Sequence, residues 1–132
     1  MNTFRKLSRN AHGSATLEFA LTIPLFLLLL TAIAQFAMGF LASAGLRNGV
    51  EAAARYAQIY PVPSDDKIEN VVTSNVYGLN LSQLSGPSIT HGTANGVNYV
   101  DVNASYAVPI DILFVPTFKF NINYTRRAYQ YQ

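Results

Sequence analysis

The sequence predicts an α+β protein: a long apolar N-terminal helix, a short second helix, and a small antiparallel three-stranded meander packed on the far end of the first. Three observations carry this reading. Residues 19–46 contain no charge, and residues 19–30 are almost pure hydrocarbon. Pro61 and Pro63 then punctuate the chain before a second, shorter helical pattern. Beyond Gly86-Pro87 the apolar period changes from that of a helix to the two-residue alternation of strands.

The long helix comes first. An uncharged run of this length can cross a hydrocarbon core of about 30 Å. It is preceded by a basic leader with Arg5, Lys6 and Arg9. Basic residues on the N-terminal flank of a first span favour retaining that side in the cytoplasm, so the rest of the chain is expected in the periplasm. The expected organisation is a leader over residues 1–13 and a long helix over 14–60, with its membrane span at about 19–41. A head domain fills residues 61–132. An ordinary cleaved secretory signal, using Ala42-Ser43-Ala44 as its cut site, is the alternative, although such signals have an apolar core of only about 7–15 residues.

Several positions in the helix have mechanical consequences. Pro24 lacks an N–H, so the Ala20 carbonyl loses its partner and a kink is expected, with Thr22 close enough to compensate. Gly39, Ala42, Gly45, Gly49 and Ala53 recur at three- and four-residue spacing on one face. Small residues in this pattern let a second helix approach closely, whether from another subunit or from the head itself. Gln35 needs a hydrogen-bond partner in such surroundings. The helix is expected to end near Ile59, with Ala52, Ala53, Tyr56 and Ile59 as the stripe on which the head packs.

The head follows. Ser64 before Asp65 and Asp66 reads as an N-cap with acids in the first turn. Ile68, Val71, Val72 and Val76 continue at helical spacing until Gly78 and Asn80. The first strand is expected at residues 88–91, and Asn95-Gly96 marks a tight turn. Val100, Val102, Ala104, Tyr106 and Val108 alternate with polar or small residues, giving a strand with one buried face that Pro109 ends. Phe118, Phe120, Ile122 and Tyr124 alternate in the third strand. There the aromatics change phase at Tyr129 and Tyr131, so a bulge is expected near Arg126-Arg127. The apolar loop at residues 110–115 is a candidate contact surface or a flap over the core.

The chemistry-bearing residues do not assemble into a site. Net charge is only +2 and, the leader and Arg126-Arg127 aside, the basic residues are scattered, which argues against nucleic acid. The chain has no cysteine, which excludes disulfides and thiolate metal ligands. His91 stands alone in the sequence beside a turn. Asp65, Asp66 and Glu69 read as a solvated helix start rather than a metal cluster. No phosphate loop, nucleophile elbow or zinc spacing occurs. The expectation is a protein without enzymatic activity, cofactor, metal or small-molecule substrate.

One carboxylate remains. Glu18 stands at the mouth of the apolar helix, where a charge is costly unless paired or solvated at headgroup depth. Before it run His12-Gly13-Ser14-Ala15-Thr16-Leu17. A glycine, four residues and a glutamate heading an apolar helix resemble a type IV prepilin processing site. The run HGSATLEFALTIPLFLLLL, with the alanine-rich AAARYA after it, is similar to the TadE-like family, minor pseudopilins of tight-adherence (Flp) pilus systems. Phe19 departs from the tyrosine that often follows this glutamate.

The resemblance implies cleavage by a prepilin peptidase between Gly13 and Ser14 and a role in pilus assembly and adhesion. The partners it implies are that peptidase, the inner-membrane assembly platform, a sister pseudopilin and the major pilin, besides membrane lipid. After cleavage the Ser14 amine would stand four residues from Glu18 on one helical face and could pair with it. The alternative is a tethered binding or adhesion protein that is never processed.

Overall fold

A computed structural model describes residues 11–130, with side chains from residue 15 onward. Its elements are α1 (Ala11–Tyr56), α2 (Asp65–Asn75), β1 (Leu84–Ala94), β2 (Val97–Ile110) and β3 (Phe118–Gln130). The strands form one antiparallel sheet in the order β1-β2-β3. The α+β architecture is therefore the expected one. Residues 1–10, including the basic leader, lie outside the described residues, as does Tyr131.

The core lies between the C-terminal part of α1, α2 and one face of the sheet. Leu46, Val50 and Ala53 of α1, with Ala57 just past its end, meet Ile68 and Val72 of α2 and Val100, Val102 and Ala104 of β2. All of these are fully or almost fully buried. The α1 face differs from the expected stripe. Ala53 is buried, but Ile59 is 53 % exposed and the seam runs back through Ala42 and Leu46 instead. The helix itself ends at Tyr56, three residues early. The N–H groups of Ala57, Gln58 and Ile59 still donate to the carbonyls of Ala53, Arg55 and Tyr56, so the last turn tightens and releases Ile59 from the helical face.

Helix α2 starts as expected, with Ser64 at the N-cap and Asp65 and Asp66 in the first turn, though the Ser64 side chain makes no capping bond. It stops at Asn75 with Val76 extended, before Gly78. Gly78 has φ +68, and a Cβ there would lie 2.5 Å from Leu41 Cγ, so both conformation and space require glycine.

The strands are longer than the alternation alone indicated. β1 begins at Leu84 rather than residue 88, and its irregularity lies between Ser85 and Ser88, at Gly86-Pro87. Asn95 and Gly96, at φ 53 and 77, make the expected turn between β1 and β2. Pro109 does not end β2: it pairs with Lys119, and Ile110 with Phe118. Pairing with β1 stops at Tyr106, so beyond it β2 has an open edge where a missing N–H costs no ladder bond. The bulge expected near Arg126-Arg127 is absent, since β2 and β3 pair without interruption from Asn98↔Gln130 to Ile110↔Phe118. The apparent phase change has another cause: Ala128 and the buried Gln130 keep the inner face, while Tyr129 faces outward against Tyr99. Gln130 Nε2 donates to the Ala57 carbonyl at 3.1 Å, satisfying an acceptor at the end of α1.

Candidate functional site

The N-terminal half of α1 has no protein contact commensurate with its composition. None of residues 15–41 is buried. Leu21 is 72 % exposed and Phe40 75 %. Full burial of one such side chain is worth roughly 1.5–3 kcal/mol, so a row of them in water is unstable without lipid or a partner. Among described residues, Glu18 is the one charged side chain of α1 before Arg47. The helix is long and apolar enough to cross a membrane.

Within that half two threonine hydroxyls turn inward on the helix backbone. Thr22 Oγ1 donates to the Glu18 carbonyl at 2.8 Å and Thr31 Oγ1 to the Leu28 carbonyl at 3.0 Å. Such bonds are how hydroxyls are accommodated in hydrocarbon. Thr22 therefore serves Glu18, not the Ala20 carbonyl freed by Pro24, and α1 continues through Pro24 without a break. Gly13 and Ser14 lie in the first turns of α1, but their side-chain environment is outside the described residues.

The small-residue face is occupied by the chain's own head. A Cβ on Gly45 would stand 1.8 Å from the Tyr77 carbonyl oxygen. One on Gly49 would stand 2.5 Å from Val76 Cγ1 and 2.8 Å from the Val72 carbonyl oxygen. Asn48 Nδ2 donates to the Asn75 carbonyl at 2.9 Å, closing the same seam. Ala53 is buried in the core, while Gly39 has room, with Val108 at 3.8 Å from its hypothetical Cβ. The close approach thus joins α1 to the end of α2.

Polar contacts brace the head on α1. Glu51 accepts from Arg47 Nε at 2.9 Å and from Tyr124 Oη at 2.8 Å. The Arg47 bond, then the Tyr124 bond, hold its carboxyl below the usual carboxylate range. On the outer face of the sheet, Arg127 makes a two-point contact with Asp101 at 2.7 and 2.8 Å and lies 3.8 Å from the centre of the Tyr99 ring. The Arg127 bond depresses the Asp101 carboxyl and raises the guanidinium in turn. His91 is not isolated after all. Its Nε2 is 2.9 Å from Asp65 Oδ1, joining β1 to the start of α2, a pairing between residues 26 apart that no local pattern announces. Among the described residues no group of three His, Cys, Asp or Glu side chains could hold a metal.

Sequence reasoning missed an apolar groove between α1 and β3. It measures about 430 Å³ and is lined by Phe36 and Phe40 on one side and Val108, Phe118 and Phe120 on the other. Phe118 and Phe120 face inward as their alternation required, yet they are 51 % and 61 % exposed because α1 covers this end of β3 incompletely. The signal lay in the length of the strand pattern, which outruns the protein available to cover it. Gln35 finds its partner beside the groove, donating through Nε2 to the Asp111 carbonyl at 2.9 Å.

No curated protein and no solved structure matches this chain. The model of the TadE-like protein family matches residues 13–55, which run from the glycine before Glu18 through the bare apolar half of α1 and onto the seam with the head. The chain therefore carries a TadE-like segment in the helix that bears its exposed apolar surface, which supports involvement in a tight-adherence (Flp) pilus system.

Proposed function

We propose that this chain is a minor pseudopilin that supports assembly of a tight-adherence pilus used for surface attachment. The observation that carries the reading is the division of α1. One half is apolar and unburied behind a single carboxylate, and the other is fastened to a folded head. In this proposal the bare half is held first by the cytoplasmic membrane and then by sister pseudopilin and major pilin helices. The N-terminus is cytoplasmic and the head periplasmic. A prepilin peptidase cuts between Gly13 and Ser14, and the assembly platform receives the mature chain. The role is structural rather than catalytic.

Glu18 is the testable centre of the proposal. The amine freed at Ser14, on the same chain or an incoming subunit, is protonated in much of the population near neutral pH and can neutralise the carboxylate. Glu18→Gln keeps the shape and removes the charge. We expect the variant to insert in the membrane of its native host but to fail to assemble pili. N-terminal sequencing of the wild-type protein should find Ser14 first. A host that makes normal pili with Glu18→Gln refutes charge pairing, and a mature chain starting at Met1 favours the unprocessed tether.

A further inference from the structure

We propose that the turn between β2 and β3 is a second membrane contact, an apolar wedge that enters the outer leaflet of the bilayer crossed by α1. This inference rests on the membrane anchoring proposed above and adds to it. The turn is unusual in composition. The Val115 N–H donates to the Ile112 carbonyl at 2.9 Å, closing a four-residue turn whose central residues are Leu113 and Phe114. Such positions ordinarily hold glycine, asparagine, aspartate or serine. Phe114 has φ 67, a left-handed conformation that a bulky residue rarely adopts, and it is 76 % exposed. Leu113 and Val115 are exposed beside it. A fold that holds its backbone in a disfavoured state to present a phenyl ring outward points to a function for that ring.

The direction of the sheet says what the ring meets. Gln130, at the far end of β3, contacts Ala57, Val108 packs by Gly39, and the Asp111 carbonyl receives Gln35. β2 therefore descends α1 towards its bare half, and the turn beyond Asp111 reaches the level of Gln35 or below. From Glu18 to Gln35 the helix rises about 26 Å, at about 1.5 Å per residue. A hydrocarbon core of about 30 Å that begins near Glu18 thus ends close to Gln35. Asp111, Thr117 and Lys119 flank the apolar tip, with Thr117 Oγ1 donating to Asp111 Oδ1 at 3.2 Å. These polar groups mark headgroup depth, and the tip between them matches the acyl region next to it. Leu113 and Phe114 of the turn and Phe36 of the span are all exposed near that level. Lipid is the occupant that fits both.

The chain contains no tryptophan, so a single introduced indole reports without background. The full-length protein would be reconstituted in phosphatidylcholine vesicles whose lipids are brominated near the glycerol end of the acyl chain or deeper. In Phe114→Trp the emission should be blue-shifted and quenched more by shallow than by deep bromine. Leu27→Trp should be quenched by deep bromine, and Tyr129→Trp, at the other end of the sheet, by neither. Leu113→Trp repeats the measurement if the Phe114 site does not tolerate an indole. Quenching of Leu27→Trp without quenching at the turn overturns the wedge and leaves the anchor standing. Absence of quenching in Leu27→Trp overturns the anchor and the wedge together. If the turn is shielded from aqueous iodide only as protein density rises, and never quenched by bromine, its occupant is a second copy of the chain and the lipid assignment is wrong.

Discussion

The two halves of α1 are one helix built for two solvents. Up to Leu41 most apolar side chains are large, though alanines stand among them, and among the described residues not one is buried. From Ala42 to Ala57 the residues facing inward are mainly alanine, glycine, leucine and valine, and those in the core are sealed. Bulk thus follows the medium. Lipid adapts to any shape, so leucine and phenylalanine fit there without complementary partners, whereas a protein neighbour at fixed distance requires small residues at the points of closest approach. The difference teaches that hydrophobicity alone does not locate a protein core. Side-chain size at helical spacing does.

Truncating a core residue tests this most severely. Leu46 is fully buried and Leu30 is 46 % exposed. Leu46→Ala should cost the head about 2–5 kcal/mol, and Leu30→Ala almost nothing, by thermal unfolding in detergent. Equal losses would break the comparison. The converse change ranks next. Gly45→Ala places a methyl against the Tyr77 carbonyl, where the backbone must move, and should cost about 1–3 kcal/mol or more. Gly39→Ala, with ordinary contact distance to Val108, should be tolerated.

Much of this division was legible in the sequence because it is local. Period, charge absence and the Asn95-Gly96 turn each need only neighbouring residues, and the structure reproduces them. The failures share a cause. Whether Pro109 can remain in a strand depends on β1 having already stopped pairing at Tyr106, a fact about another strand. The Tyr129 and Tyr131 pattern resembles a bulge only if aromatics mark the inner face, where Ala128 and Gln130 in fact lie. Of the candidate site, Gly45 and Gly49 were visible as small residues on one face, but the identity of their neighbour required the fold. The groove and the Asp65–His91 pair could not be read because each joins distant segments.

An electrostatic test sharpens the contrast within the head. The outer face of the sheet is polar and carries the Asp101–Arg127 contact, while the inner face carries the core. Asp101 has a depressed folded-state pKa. Its contribution is therefore fully present above the unfolded value and is lost as pH falls through the folded one. Wild type should melt modestly above Asp101→Asn at neutral pH, and the two should converge in acid once the pH has fallen below the folded-state value of Asp101. A difference that persists in acid would assign the effect to something other than the ion pair. The pair is partly solvated, so it ranks below the core substitutions.

The smallest expected effect probes the boundary between the halves. Gln35 lies in the exposed half of α1, yet its side chain reaches the Asp111 carbonyl across 76 residues of sequence. It needs a partner because an amide next to hydrocarbon is costly when unsatisfied. Gln35→Leu removes the bond without removing bulk, and a neutral hydrogen bond in a partly exposed setting is worth about 0.5 kcal/mol. The melting temperature of the head should barely move, since the fully buried centre of the core, at Leu46 and Val50, lies about three to four turns beyond Gln35 on α1. The local consequence should be measurable: amide hydrogen exchange at residues 111–117 should accelerate while that of residues 100–106 does not. Faster exchange throughout β2 would mean that the bare half of α1 helps hold the head, and the division of the helix would then have to be drawn nearer to Glu18.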